Sequence, residues 1–152
     1  MADQNSIVTQ NRKARHEYHL FDKFEAGLEL VGSEVKSLRE GRANLKDSYV
    51  IIRRGEAVLV SAHISPYSHT GFTGHEPDRD RRLLLNKREI LKINQKISEK
   101  GFTVIPLKIY FKNGWAKVEI AVAKGKNFYD KRDARKAKDV ERDTQRQLRN
   151  YR

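Results

Sequence analysis

Apolar positions recur every second residue in several short stretches of this chain and at helical spacing in one longer stretch, so the pattern is mainly that of short strands. Tyr18 and Leu20 alternate with polar neighbours and predict a first strand near 17–21. Asp22 with Glu25 three residues on has the form of a capping box, and Gly27 suits the position after a helix end, so 22–27 reads as one helical turn. Leu28 and Leu30 then resume a strand. Ser33 ahead of Glu34–Glu40, with Gly41 behind, predicts a short helix that turns Val35 and Leu38 inward and Lys36 and Arg39 outward. The β-rich runs 48–53 and 56–60 flank Arg54-Gly55 and predict a hairpin. From Ser65 to Arg82 the chain is loop-like, punctuated by Pro66, Gly71, Gly74 and Pro77. Asn86 with Glu89 is a second capping pair, and Ile90, Ile93 and Ile97 precede Gly101, so a helix is expected near 87–100, lying across one end of a sheet. Phe102–Phe111 and Trp115–Ala123 flank Asn113-Gly114, the strongest short-range hairpin signal, with Pro106 confined to an edge or a bulge. The sum is a mainly β domain of about six short strands with flanking helices, for which a small antiparallel barrel of the oligonucleotide-binding type is the commonest solution.

Both ends depart from this pattern. Met1–Gln10 is polar and unpatterned and is expected to be disordered. Lys124–Arg152 holds 11 basic and 5 acidic residues, which is half of the chain's net charge of +12. A helix over Ala134–Tyr151 would carry an apolar stripe of only Ala137, Val140, Leu148 and Tyr151, too thin to hold it on a core, so this tail is expected to order against a partner. The chain thus divides into 1–10, a barrel over 11–126 and a basic tail over 127–152.

The charge changes the picture from fold to partner. A pI near 10.0 makes nucleic acid the leading partner, with anionic membrane behind it. No run nears the roughly 18 apolar residues of a membrane span, and the first ten residues lack the regions of a secretory signal, so a soluble intracellular protein is expected. With no cysteine, disulfide and thiolate–metal chemistry are excluded. His16, His19, His63, His69 and His75 form no metal-ligand spacing and read as ordinary surface and loop residues. A nuclease using Asp47, Asp78 and Asp80 is the competing class, although such isolated carboxylates are usually solvated. Arg12, Lys13 and Arg15 before the first strand, Lys36 and Arg39 on the short helix, and Lys117, Lys124 and Lys126 on and beyond the last strand together make a candidate RNA face. Alternation within Leu83-Leu84-Leu85 leaves Leu84 exposed to a partner. Tyr129 beside Asp130-Lys131-Arg132 has the composition of a stacking platform flanked by phosphate contacts.

These residues carry a family resemblance. Asn11-Arg12-Lys13-Ala14-Arg15-His16-Glu17-Tyr18, Phe24-Glu25-Ala26-Gly27-Leu28, Gly32-Ser33-Glu34-Val35-Lys36-Ser37-Leu38-Arg39, Asp47-Ser48-Tyr49, Arg82-Leu83-Leu84-Leu85-Asn86 and the run from Gly125-Lys126 to Asp130-Lys131-Arg132 occur in the right order. Over 11–132 the chain resembles the small protein B family, the SsrA-binding proteins of bacterial trans-translation. The resemblance implies an oligonucleotide-binding-type barrel that binds the tRNA-like domain of transfer-messenger RNA. It also implies delivery of that RNA to stalled ribosomes in a complex with elongation factor Tu, as a cytoplasmic monomer with no enzyme activity, metal or cofactor. Glu25, Leu84 and Asn86 match family positions important for RNA binding. Tyr129 matches the place where the tail meets the decoding centre, histidine in some members, and Asp130, Lys131 and Arg132 match the tail's signature. Leu148 is the single aliphatic of the last turns, in a tail that becomes helical in the ribosome's mRNA path.

Overall fold

The computed structural model describes residues 6–67 and 74–126. At Asn113-Gly114 both residues take positive φ (51° and 81°), the twist that suits a two-residue hairpin. The turn joins β8 (Phe102–Lys112) to β9 (Trp115–Gly125), which pair from Lys112↔Trp115 back to Phe102↔Lys124. The same geometry recurs at Arg54 and Gly55 (53° and 78°), between β4 (Tyr49–Arg53) and β5 (Glu56–Val60). β9 also pairs with β2 (Tyr18–Leu28), β2 with β7 (Arg81–Leu84), β7 with β5, and β4 returns to β8 through Val50↔Val104. Six antiparallel strands therefore close into a ring in the order β8-β4-β5-β7-β2-β9, the closed arrangement expected of a small barrel. A short ladder of β3 (Ala43–Asn44) with β6 (His63–Ile64) stands apart.

Two expectations are corrected. Of the N-terminus expected to be disordered, Ser6–Gln10 forms strand β1, paired antiparallel with β8 from Ser6↔Phe111 to Gln10↔Lys108. Its residues carry no clear alternation, and the stretch of β8 beyond its pairing with β4 supplies the hydrogen bonds that local sequence does not announce. Residues 22–27 are not a helical turn but the middle of β2. A bulge between Leu20 and Lys23 absorbs Phe21 and Asp22, after which Ala26 and Leu28 are buried with a period of two. The long ladder with β9 outweighs the local capping pair.

The helices are placed by caps and by the core. α1 (Lys13–Glu17) is short and buries Ala14. α2 (Gly32–Arg39) is capped from Val31, whose N–H donates to Glu34 Oε1 at 3.0 Å, rather than from Ser33. Lys36 and Arg39 are exposed on it and Leu38 is buried, as the spacing predicts. α3 (Lys87–Ile97) has the predicted capping box: Asn86 Oδ1 accepts the Glu89 N–H at 2.9 Å, and Glu89 Oε1 accepts the Asn86 N–H at 3.3 Å. It ends at Ile97, short of residue 100, and sends Ile93 fully into the core.

The ring's interior is filled by Leu38, Leu59, Ile93, Val104, Ile109, Val118, Ile120 and Val122 among others. A second cluster lies where Ala14 of α1 covers Ile105, Leu107, Ala121 and Ala123. β8 and β9 are thus buried on both faces along part of their length, which explains their unbroken apolar runs. Pro106 sits at the β8 bulge that ends at Lys108, and its carbonyl accepts the Asn11 side-chain amide at 3.0 Å. Among the described residues no helix is long and apolar enough to cross a membrane.

Candidate nucleic-acid interface

Alternation along the β8–β9 hairpin buries Ile109, Phe111, Val118 and Ile120, and so sends Lys108, Tyr110, Lys112, Lys117 and Glu119 to the outer face. β2 joins that face through Glu25↔Glu119 and Gly27↔Lys117, and Tyr110 lies opposite Lys117. Glu25 would repel Glu119 were it not engaged: the Tyr110 hydroxyl donates to Glu25 Oε2 at 2.5 Å and Lys112 Nζ approaches Oε1 at 3.4 Å, while Lys108 pairs with Glu119 at 3.8 Å. The Tyr110 hydrogen bond, ahead of the lysine contacts, holds the Glu25 carboxyl below its ordinary value despite partial desolvation. Tyr110 is pushed up in return, by burial first and then by its bond to Glu25. Replacing Tyr110 by Phe should raise the Glu25 pKa toward that of a free carboxyl, read by carboxyl-carbon NMR titration. An unmoved Glu25 midpoint would mean that Lys112 and Lys117 suffice without the phenol.

Leu84 meets this face across Gly27. A Cβ built on Gly27 would stand 3.2 Å from Leu84 Cβ and 3.3 Å from its Cδ1, so the missing side chain is what lets the leucine lie over β2. Leu84 is half exposed while Leu83 is buried, the alternation expected of the triplet. Asn86 follows two residues later, exposed, with its Oδ1 taken by the helix cap and its amide NH2 a further donor. Glu25, Lys117, Leu84 and Asn86 are thereby brought together on neighbouring strands and the start of α3.

A second cationic group gathers at the far end of β9. Lys126 donates its N–H to Glu17 O at 2.8 Å, and its Nζ approaches Arg15 O at 3.5 Å, tying the strand's exit to α1, which carries Lys13 and Arg15 just after Arg12. Lys124 is adjacent, opposite His19. A cavity of about 230 Å³ is lined by Arg12 and Lys13 together with Lys46 and Asp47. Lys117 and Lys124 are seven residues apart on one strand, about 23 Å, so the single positive face expected from the sequence resolves into two groups along β9. Lys36 and Arg39 on α2 are directed at aromatic rings, Lys36 Nζ 5.4 Å from that of Tyr67 and the Arg39 guanidinium 5.7 Å from that of Phe111. Tyr129, Asp130, Lys131, Arg132 and Leu148 lie outside the described residues.

Sequence reasoning missed Tyr110 and Lys112 as partners of Glu25. The signal was present: once Asn113-Gly114 sets the hairpin register, Tyr110 and Lys112 fall on the same face as Lys117. The competing metal-nuclease arrangement has no matching cluster, since no three His, Asp or Glu among the described residues are grouped to hold an ion. Asp78 accepts from or pairs with His63 at 2.9 Å and Asp80 pairs with Arg53 at 3.1 Å.

A closed ring of antiparallel strands, cationic at two places on its outside and carrying one exposed leucine over a glycine, defines a small basic β-ring binding protein. The family model described as SmpB protein matches residues 8–150, and the chain belongs to that family. It is 57% identical to the SsrA-binding protein of Sulfurihydrogenibium sp. (strain YO3AOP1) over 137 residues, 90% of each chain. With the SsrA-binding protein of Trichodesmium erythraeum (strain IMS101) it shares 51% identity, over 95% of this chain and 94% of the relative. A solved chain from a structure described as "tmRNA-SmpB: a journey to the center of the bacterial ribosome" superposes with a TM-score of 0.69 at 40% identity, covering 83% of this chain and 92% of that one.

Proposed function

We propose that the protein is an RNA-binding adaptor that grips the tRNA-like domain of transfer-messenger RNA and delivers it to stalled ribosomes for trans-translation. Membership of the SmpB family across 8–150 carries this reading. Glu25, Lys117, Leu84 and Asn86 supply contacts to the folded RNA: a carboxylate and an amide for base or ribose edges, a lysine for phosphate, and an apolar side chain for a sugar or base face. Arg12, Lys13, Arg15, Lys124 and Lys126, with Lys36 and Arg39, supply further backbone contacts, which are salt-sensitive. Tyr129, Asp130, Lys131 and Arg132 meet the decoding centre, and the tail beyond them, Leu148 included, becomes helical in the mRNA path. In this role the protein acts as a cytoplasmic monomer, enters the ribosome with elongation factor Tu, needs no cofactor and breaks no bond.

RNA that co-purifies with the protein from its own cells should be dominated on sequencing by one transfer-messenger RNA species; a broad spread of ribosomal or messenger fragments would instead mark a general RNA-binding protein. In the same preparation, Glu25→Ala or Leu84→Ala should weaken binding to the isolated tRNA-like domain about ten-fold or more by gel shift. Labelled RNA held with the protein and magnesium should stay intact, and strand cleavage would favour the nuclease reading.

A further inference from the structure

We infer that the end of the ring beside α3, where Phe21 and Phe102 meet two lysines, is a stacking site for one unpaired nucleotide of an RNA partner. The inference rests on the RNA-binding reading but concerns a different surface from the Glu25–Leu84 face. Val122 of β9 is buried inside the ring, and Lys124 follows it by two residues, on the same side of the strand and directly opposite Phe102. A lysine therefore ends a column of core positions. Its Nζ stands 5.7 Å from the Phe102 ring centre, and Lys96 Nζ, from the last turn of α3, stands 5.8 Å from the same ring. The β2 bulge brings Phe21 to that place, its ring centre 5.3 Å from that of Phe102 at an interplanar angle of 58°. Phe21 remains 48% exposed.

Each feature has a use in binding a nucleotide. Phe102 packs against the core and is held between its neighbours, so it serves as a fixed base for Phe21. Phe21 presents ring surface to solvent, and a nucleobase can cover it whatever its identity, since every base has a π face. The two ammonium groups stand over the Phe102 ring against which Phe21 packs. Lys124 makes no ion pair among the described residues, and Lys96 has only an exposed contact with Glu99 at 3.8 Å, of the kind that contributes little. Both are thus available to the phosphates on either side of a stacked base. A purely apolar partner would have to desolvate them, whereas a polyanion gains from them.

The test places an indole at the site. In the full chain, Trp115 is the only tryptophan, so combining Trp115→Phe with Phe21→Trp leaves one reporter at position 21. Titration with hexauridylate RNA at low salt should quench its fluorescence saturably, and the quenching should fade as salt rises. Phe21→Leu keeps an apolar cover without a ring face and should bind end-labelled hexauridylate about ten-fold more weakly than the parent chain by anisotropy. Absence of binding, binding without quenching, or a Phe21→Leu affinity equal to the parent would each overturn the inference. Because the fluorescence reading does not use the leucine variant, a folding defect in that variant would not rescue it. Loss of stacking with the tRNA-like domain still bound through Glu25 and Leu84 defeats only this inference. Quenching with the tRNA-like domain unbound defeats only the adaptor reading.

Discussion

Replacing Glu34 by glutamine should lower the unfolding free energy by about 3–5 kcal/mol, a fall in thermal midpoint on the order of 10 °C for a chain of this size. Glu34 and Arg81 are both fully buried, and Arg79 is partly so. Glu34 Oε1 accepts from the Val31 N–H at 3.0 Å and from Arg79 at 2.5 Å, and Oε2 accepts from Arg79 Nε at 3.0 Å and Arg81 Nε at 2.7 Å. Arg81 spends its remaining donors on the carbonyls of Ala62, Pro77 and Glu76. Among the described residues the carboxylate is the only negative charge in direct contact with these two guanidinium groups, and a glutamine NH2 in its place would point a donor at donors. Burial alone would raise the Glu34 carboxyl, but the bonds from Arg79, Val31 and Arg81 outweigh it and hold the group below its ordinary value. A carboxyl whose folded value is depressed stabilises the fold fully above the unfolded value, about 4.3, and loses that contribution as pH falls through the lower folded value. The parent should therefore lose stability below about pH 4, and Glu34→Gln should lack this part of the acid dependence. Urea midpoints at pH 7 and pH 3 measure both effects. A variant within about 1 kcal/mol of the parent at pH 7 would show that the arginines find other partners. Because this network joins α2 to β7, it also sets where Lys36 and Arg39 stand relative to Leu84.

Ending the chain after Gly125 should leave affinity for the tRNA-like domain within about three-fold at physiological salt while abolishing tagging on stalled ribosomes. Gly125 is the last residue of β9 and pairs with Tyr18, and every described core residue precedes it, so the ring keeps its hydrogen bonds and its packing. The cut removes Lys126 with its contacts to Glu17 and Arg15, together with ten basic and five acidic residues in all. General electrostatic attraction to RNA falls accordingly, which is why the comparison belongs at physiological rather than low salt. Tagging in a reconstituted translation reaction and gel shift on the isolated domain separate the two activities. Lost RNA binding by the shortened chain would refute the division of labour between ring and tail.

How much was legible in the sequence follows from how far each structural cause reaches along the chain. The two hairpins and α3 were readable because their causes are local. Arg54-Gly55 and Asn113-Gly114 need only their own positive φ, and the Asn86–Glu89 box closes within three residues. Leu84's exposure followed from simple alternation beside a buried Leu83. Lys117, Leu84 and Asn86 were named as site candidates from the same patterns and a family likeness, although their meeting across Gly27 was not visible. What tertiary structure decided involves partners far apart in sequence. β1 exists because the edge of β8 accepts it some 100 residues away, and 22–27 became strand because β9 offered a ladder stronger than a local cap. Glu34 reads in the sequence as an ordinary helix residue, yet it is buried against arginines 45 and 47 positions on. Phe21 looks like a strand residue until a bulge turns it toward Phe102. Local hydrogen bonding and backbone preference settled the turns and caps from the sequence alone. Pairings that bring distant residues together settled the register, the buried charges and the two groups of cations, because their free energy exists only once the ring has closed.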